Sequence, residues 1–201
     1  MTADEPASVP EWHWRAWSPG QSAEPVARAW LASRLGCEPA DLALTRDPRG
    51  RPCLGPAHGA DTSWSHSGDG LLLALARSAR VGVDLERDQP RPRALALAHR
   101  FFAASEAAWI EAQPGAAARA QAFVRLWCAK EAVLKAHGRG LAFGLDRLAF
   151  AQRDGALALV SADPALGDVR DWQLREFVPH PGYRAALAWR RDAPQATAAP
   201  P

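Results

Sequence analysis

Apolar residues recur at helical spacing in two long stretches of the chain. In 24–35 and 115–137 they return every three or four positions, which is the period of a helix with one buried face. A glycine follows each stretch and marks the expected helix end. Two shorter helices are predicted at 93–102 and 104–112, and Ser105 is the expected N-cap of the second.

Runs with a period of two, bounded by turn residues, predict strands. In 40–54 two short strands flank a Pro/Gly turn, and in 70–86 two strands flank a polar turn at 77–80. The stretch SWSHSGD (63–69) is interpreted as a loop that enters the strand after it. Four more strands are predicted in the last third, at 147–151, 156–162, 172–178 and 183–191.

A faint internal repeat accompanies these elements. HSGDGLLLALARS (66–78) and HPGYRAALAWRRD (180–192) share a histidine, a glycine two residues later and an apolar strand. We therefore predict an α/β fold of two similar halves in one unit, at about 11–86 and about 87–191. The Pro/Ala-rich ends at 1–10 and 192–201 are expected to be frayed, the latter as a disordered tail.

Composition excludes several classes of protein. The chain has 201 residues, 48% hydrophobic and 23% charged, which is ordinary for a globular protein, and a net charge of +2 does not favour nucleic acid. Three cysteines without a C-x-x-C pair argue against a disulfide framework and a cysteine zinc site. The N-terminus lacks the apolar core of a signal peptide, and the longest apolar run (71–76) is too short to span a bilayer. We expect a cytoplasmic protein without a membrane partner.

The charge is unevenly distributed along the chain. Residues 87–139 hold nine Arg or Lys against four Asp or Glu. Such a segment suits an acidic partner or an anionic ligand, although a solvated helical face in an arginine-rich protein would show the same excess.

Two carboxylates share one face of a predicted strand. In RVGVDLE (80–86), Asp84 and Glu86 alternate with apolar residues, and Gly82 is expected to leave open space beside them. Adjacent carboxylates repel unless a cation lies between them. The alternatives are a solvated edge strand, pairing with arginines, or a divalent metal site of the kind that Mg²⁺ prefers.

The only two lysines of the chain lie in the long predicted helix. Lys130 and Lys135 flank Glu131, whereas the other 22 basic residues are arginines. Trp127, Glu131 and Lys135 project on one side at i, i+4 and i+8, so Glu131 is a candidate third carboxylate. The pair Glu131–Lys135 would equally suit a surface ion pair, but a compact ammonium fits a phosphate oxygen in a tight site.

The stretch SWSHSGD offers hydroxyls and an imidazole at Ser65 and His66. These neighbouring residues do not favour a hydrolase triad, because the members of a triad come from separate parts of a chain. An anion contact is the better interpretation. The sequence contains no P-loop, no G-x-G-x-x-G and no H-E-x-x-H.

Taken together, the motifs resemble the 4′-phosphopantetheinyl transferases, in the monomeric branch typified by the surfactin-synthetase activator. The combination of W-x-x-K-E-A-x-x-K-x-x-G-x-G-L with an upstream G-V-D-L-E is specific, whereas each piece alone is not. The matching stretches are GRPCL (50–54), SWSHSGD (63–69), VGVDLE (81–86), FFAASE (101–106) and WCAKEAVLKAHGRGL (127–141).

The resemblance implies a reaction and a set of roles. Such enzymes move the phosphopantetheine arm of coenzyme A to a serine of an apo acyl or peptidyl carrier protein and release 3′,5′-ADP. By resemblance, Asp84, Glu86 and Glu131 hold Mg²⁺, and Glu131 is the general base, directly or through a water. Lys130 and Lys135 would neutralise phosphate oxygens.

The resemblance also implies contacts for the nucleotide. Ser65 and His66 would meet the phosphates, His66 the 3′-phosphate. Gly50, Arg51 and Pro52 match the family motif G-K-P along the adenine, with Arg51 in place of lysine. The N-terminal basic ligands of relatives are not identifiable, and Arg28 is the residue we assign by position.

Two other functions remain open at this point. A Mg²⁺-dependent nucleotide or phosphodiester hydrolase could use the same carboxylates, and a non-catalytic module could bind coenzyme A or a carrier protein. The resemblance implies the transferase, acting as a monomer, with both halves of the site in one chain.

Overall fold

The computed structural model describes residues 8–191, so the expected fraying of 1–7 and 192–201 lies outside the described residues. Four α-helices and ten strands make up this part of the chain, and the predicted α/β class is confirmed. The helices are α1 (Glu24–Leu35), α2 (Ala94–Phe101), α3 (Ala104–Glu111) and α4 (Gly115–His137). The strands are β1 (Glu11–Ala16), β2 (Leu44–Arg46), β3 (Pro52–Leu54), β4 (Ala60–Ser67), β5 (Gly70–Arg77), β6 (Ala79–Arg87), β7 (Leu148–Arg153), β8 (Ala156–Ala162), β9 (Gln173–Phe177) and β10 (Tyr183–Arg191).

The strands form two three-stranded antiparallel sheets and two short hairpins. The first sheet has the order β1-β5-β4 and the second has the order β6-β10-β9, while β2 pairs with β3 and β7 pairs with β8. The central strands, β5 and β10, are the apolar runs of the predicted internal repeat. Because β6 pairs with β10, the second sheet begins before residue 86. The predicted division into halves stays a prediction.

Most predicted elements are present, but two local interpretations were wrong. SWSHSGD is the end of strand β4 followed by a tight turn into β5, rather than a loop. Helix α3 begins at Ala104, and its N-terminus is capped by the Glu106 carboxylate, which accepts the Ala103 N–H at 3.0 Å, rather than by Ser105. Strand β1 was not predicted.

Helix α4 lies directly on the β6–β10–β9 sheet. A Cβ at Gly82 would be 2.0 Å from the Ala132 carbonyl oxygen and 2.4 Å from the Ala136 nitrogen. The glycine therefore admits the helix backbone, and the predicted open space beside the carboxylates is wrong. The helix ends at Gly138, whose φ of 87° permits the left-handed stop.

Polar side chains of β4 join the two sheets. Asp61 accepts the Val81 N–H at 2.8 Å, and Ser63 accepts the Val83 N–H at 3.2 Å. Farther along, Ser67 accepts the N–H of Arg87 at 3.1 Å. We call the row Asp61, Ser63, Ser65 and Ser67 the β4 polar row. It covers the edge of β6 that faces away from β10 and satisfies backbone groups there.

Within residues 8–191, no helix has both the length and the apolar character needed to cross a bilayer.

Candidate active site

Asp84, Lys135 and Ser65 meet where α4 crosses β6. Asp84 is buried on the face of β6 that α4 covers, and Lys135 comes from the last turn of the helix. The Lys135 Nζ lies 2.6 Å from Asp84 Oδ1, and it also donates to Ser65 Oγ at 3.0 Å. Ser65 Oγ in turn donates to Asp84 Oδ1 at 2.8 Å. The β4 polar row and the helix thus fix one carboxylate between them.

Glu131 lies one helical turn before Lys135 in an environment that disfavours its ionised form. Only 7% of the surface of Glu131 is exposed to solvent. Burial, and then the nearby Asp84 carboxylate, raise the pKa of Glu131 to about 7, against the opposing effect of Lys135. Neither Glu131 Oε1 nor Asp84 Oδ2 has a hydrogen-bond partner. Two buried carboxylate oxygens therefore lack a cationic or donating partner.

Glu86, two residues after Asp84 on β6, is bound by an arginine and a serine. Its Oε2 accepts from Arg91 Nη2 at 2.5 Å and from Ser67 Oγ at 3.2 Å. In the part of the chain that the structure describes, no group of three or more His, Cys, Asp or Glu is gathered as a ready metal site. The donor chemistry still fits Mg²⁺, because the unpartnered atoms of Asp84 and Glu131 are the hard oxygen ligands that this ion takes.

The structure separates the two lysines. Lys130 is fully buried, its Nζ lies 2.7 Å from Glu106 Oε2, and it donates to the carbonyls of Leu145, at 2.7 Å, and Leu148. Burial lowers the pKa of Lys130, and Glu106 partly offsets that effect. Its ammonium is thus bound within the core that joins α3, α4 and β7. Lys135 contacts Asp84 of the candidate site, whereas Lys130 is paired with Glu106 in the core.

A cavity of 250 Å³ adjoins Lys135 at the C-terminal end of α4. Basic residues and the turn between β2 and β3 form most of its wall, so its surroundings suit an anion. The lining residues are Arg46, Arg49, Gly50, Arg51, Pro52, Ser63, Trp64, Leu134, Lys135, Gly138, Arg139 and Gly140. The structure thus brings Gly50, Arg51 and Pro52 into one cavity wall with Lys135.

Arg51 takes part in this wall but directs its guanidinium into the protein. It forms a two-fold hydrogen-bonded pair with the Asp61 carboxylate, with Nη1 and Oδ1 2.9 Å apart. Its Nε donates to the Lys135 carbonyl at 2.8 Å, and its Nη2 donates to the Val81 carbonyl at 3.2 Å. Arg51 therefore ties the end of α4 to β4 and β6.

The remaining predicted ligands lie outside the cavity wall. His66 is exposed, and its ring stacks on Trp17 with the centroids 4.4 Å apart. The Ser65 hydroxyl is engaged with Asp84 and Lys135. Arg28 donates from Nη1 to the carbonyls of Pro39 and Leu42, so it supports the segment after α1.

Comparisons with known proteins identify the family of the chain. A model of the 4′-phosphopantetheinyl transferase superfamily matches residues 80–188, the segment that carries Asp84, Glu131 and Lys135. The chain belongs to this superfamily. It is an enzyme of the phosphopantetheinyl transferase class, and the resemblance seen in the motifs is confirmed.

Individual relatives of this superfamily match most of the chain. A Synechocystis protein whose name places it among the 4′-phosphopantetheinyl transferases is 36% identical over 81% of this chain and 68% of its own length. The transferase HetI of Nostoc is 33% identical over 81% and 67%, respectively. The transferase Sfp of Bacillus subtilis is 25% identical over 81% and 69%.

Three residues were not identified from the sequence: Asp61 and Arg91 next to the site, and Glu106, the buried partner of Lys130. Asp61 begins the β4 polar row, and the period-two series D-x-S-x-S-x-S was a signal that could have identified it. Arg91 lies in the arginine-rich loop after β6, where no periodicity distinguishes one arginine from another. Glu106 pairs with a lysine 24 positions later, and no local pattern predicts such a contact.

Proposed function

We propose that this transferase moves the 4′-phosphopantetheine arm of coenzyme A to a serine of an apo acyl or peptidyl carrier protein. In this proposal the reaction depends on Mg²⁺ and releases 3′,5′-ADP. The supporting observation is the contact of Lys135 with Asp84, beside two unpartnered carboxylate oxygens and next to a cavity with a basic wall. Phosphoryl transfer needs such charge neutralisation together with positioning.

The carboxylates have distinct proposed roles. Asp84, Glu86 and Glu131 would hold Mg²⁺, which when bound stabilises negative charge on phosphate oxygens. Glu131 would also be the base that accepts the proton of the carrier serine. Lys135 lies within reach of the same carboxylates and would neutralise a phosphate oxygen.

The 250 Å³ cavity is the proposed site of the 3′,5′-ADP portion. The backbone of Gly50–Pro52 would lie along the adenine, and Arg46, Arg49 and Arg139 surround the same space. These arginines can attract the 3′-phosphate, and His66 at the surface of β4 remains a proposed further contact. Arg28 is occupied by backbone carbonyls, so we do not include it.

The carrier protein is the proposed partner of the basic segment 87–139. Arg87, Arg93 and Arg100 of this segment are exposed. An acidic helix of a carrier would be attracted there, and the charge would mainly speed and orient encounter. We further propose that the enzyme is cytoplasmic. We also propose that it acts as a monomer, because Asp84, Glu131 and the cavity come from one chain.

The test is intact-mass spectrometry of an apo carrier protein incubated with the enzyme, coenzyme A and Mg²⁺. The expected result is a gain of one phosphopantetheine mass on the carrier, with loss of the gain in EDTA. A carrier whose acceptor serine is replaced by alanine serves as the control and should remain unmodified. Consumption of coenzyme A without carrier modification would instead identify a hydrolase. Binding of coenzyme A without consumption, across several carriers, would identify a binding module.

A further inference from the structure

The two carboxylates of β6 are held by the same kind of contact, two residues apart. The Ser65 hydroxyl donates to Asp84 Oδ1 at 2.8 Å. The Ser67 hydroxyl donates to Glu86 Oε2 at 3.2 Å. Because side chains two positions apart share a face of a strand, both serines lie on one face of β4 and both carboxylates on one face of β6. The last two serines of the β4 polar row therefore make one serine–carboxylate contact twice.

The direction of each serine hydroxyl is set by a second contact. Ser65 Oγ accepts from Lys135 Nζ at 3.0 Å. Ser67 Oγ accepts the Arg87 N–H at 3.1 Å. A hydroxyl has a single proton, so a serine that accepts from a nitrogen donor gives this proton to its other neighbour. In both cases that neighbour is a carboxylate oxygen.

A cation binds the same carboxylate oxygen as the serine does. Lys135 Nζ lies 2.6 Å from Asp84 Oδ1. Arg91 Nη2 lies 2.5 Å from Glu86 Oε2, so both of these contacts of Glu86 fall on Oε2 rather than on Oε1. Asp84 Oδ2 is buried without a hydrogen-bond partner. Each carboxylate thus has one oxygen that binds two donors and another that these donors leave available.

The two cations come from separate and well-ordered parts of the fold. Lys135 lies in the last turn of α4, whereas Arg91 lies between Pro90 and Pro92 in the loop after β6. Proline fixes its own φ and restricts the residue before it, so this loop has few conformations. The Arg91 and Glu86 side chains are 26% and 20% exposed, so the pair is largely shielded from water. Such a pair can hold a carboxylate in one orientation.

We propose that Ser67 and Arg91 are positioning residues that restrict Glu86 to one-oxygen ligation and thereby select Mg²⁺ over Ca²⁺, an inference that rests on the proposed function. The corresponding contacts restrict Asp84 in the same way. Mg²⁺ requires near-octahedral geometry and keeps several waters, whereas Ca²⁺ takes more oxygen ligands and accepts both oxygens of one carboxylate. A Glu86 side chain whose Oε2 is bound by two donors offers one oxygen to Mg²⁺ and leaves no second oxygen for Ca²⁺.

The test measures the preference for Mg²⁺ over Ca²⁺. Electron paramagnetic resonance of Mn²⁺ with enzyme and coenzyme A, without a carrier protein, gives the concentration of each ion that displaces half of the bound Mn²⁺. We expect the ratio of the Ca²⁺ to the Mg²⁺ concentration to fall about ten-fold in Ser67→Ala and in Arg91→Met. Because both ions carry the same charge, the loss of a positive side chain alone shifts both affinities equally and leaves the ratio unchanged.

Two variants serve as matched controls. Ser67→Thr retains the hydroxyl that binds Glu86. Arg93→Met makes the same chemical change as Arg91→Met at an exposed position of the same segment. Both controls should keep the wild-type ratio.

Each other outcome has a defined meaning. A wild-type ratio near one, or an unchanged ratio in Ser67→Ala and Arg91→Met, would overturn the inference. An equal fall in Arg93→Met would show that the contact of Arg91 with Glu86 is not responsible, and would remove Arg91 from the positioning role. Failure of the wild type to bind Mn²⁺ in the presence of coenzyme A would overturn the metal dependence in the proposed function itself, and this inference with it.

Discussion

Glu131 is buried beside a second carboxylate, and this placement links its chemistry to the stability of the protein. Its pKa rises from an ordinary 4.5 to about 7, first because of burial and then because of Asp84. The folded protein therefore binds a proton at Glu131 that the unfolded chain releases at lower pH. This contribution to stability is present below pH 4.5 and is lost as pH rises through 7.

Glu131→Gln tests both consequences. With EDTA present, we expect the variant to gain about 3 kcal/mol of unfolding free energy relative to wild type on going from pH 4.5 to pH 8. Urea denaturation at several pH values measures this difference. Carrier modification by the variant should be abolished. Glu38→Gln, at an exposed position, should show neither effect. A stability difference that is constant with pH would contradict the burial argument, and near-wild-type turnover would contradict the role as base.

Replacement of the two lysines is expected to have different effects, on stability at Lys130 and on turnover at Lys135, although they are only five residues apart. Lys130→Met leaves the Glu106 carboxylate buried without its cation, which should cost about 3–5 kcal/mol of stability. Lys135→Met removes a partly exposed ammonium and should lower turnover about a hundred-fold with a smaller loss of stability. Thermal unfolding and carrier-modification rates separate the two effects. If the Lys130→Met enzyme were stable but bound coenzyme A more weakly, Lys130 would be a phosphate ligand rather than a structural residue.

Among the helices and strands, those with a regular spacing of apolar residues could be predicted from the sequence. Helix α4 and strands β7 to β10 were identified because their apolar spacing is regular and glycine or polar turns separate them. Strand β1 was not predicted, although Trp12, Trp14 and Ala16 alternate with polar residues and the period of two was therefore present in the sequence. The N-terminal cap of α3 was wrongly assigned to Ser105, because the capping group is a carboxylate inside the helix, which a search for Ser or Asp at the N-cap overlooks.

The close approach of α4 and β6 is a contact between backbones, and periodicity does not encode it. Gly82→Ala would place a methyl group against the Ala132 carbonyl and must shift the helix that carries Glu131 and Lys135. We expect a loss of about 1–3 kcal/mol in stability and a clear fall in turnover. The matched control is Ala188→Gly, on the β10 position paired with Gly82, which should cost about 1 kcal/mol or less. Denaturation curves and turnover of both variants measure this. Wild-type behaviour of Gly82→Ala would show that the helix stands farther from the strand.

For the molecule as a whole, the site depends on how the two sheets are joined. The carboxylates Asp84 and Glu86 belong to the second sheet, whereas Ser65 and Ser67, which bond to them, belong to the first. Local spacing in the sequence made the carboxylates and Lys135 candidates for the site. It could not identify the β4 polar row as the connection, because those hydrogen bonds join residues about twenty positions apart in different sheets.

Arg51 tests whether this connection positions the site. Its guanidinium binds Asp61 and three backbone carbonyls at once, those of Pro52, of Val81 on β6 and of Lys135 at the end of α4. A lysine keeps the charge but has neither the planar fork nor the reach for all of these acceptors. We expect Arg51→Lys to lose about 1–3 kcal/mol of stability, and to lose turnover through displacement of Lys135. Arg49→Lys makes the same chemical change on an exposed neighbour and should leave stability unchanged. Chemical denaturation and carrier-modification rates of both variants provide the measurement. If Arg51→Lys matched wild type in both, backbone contacts alone would hold α4 against the first sheet, and Arg51 would have no positioning role.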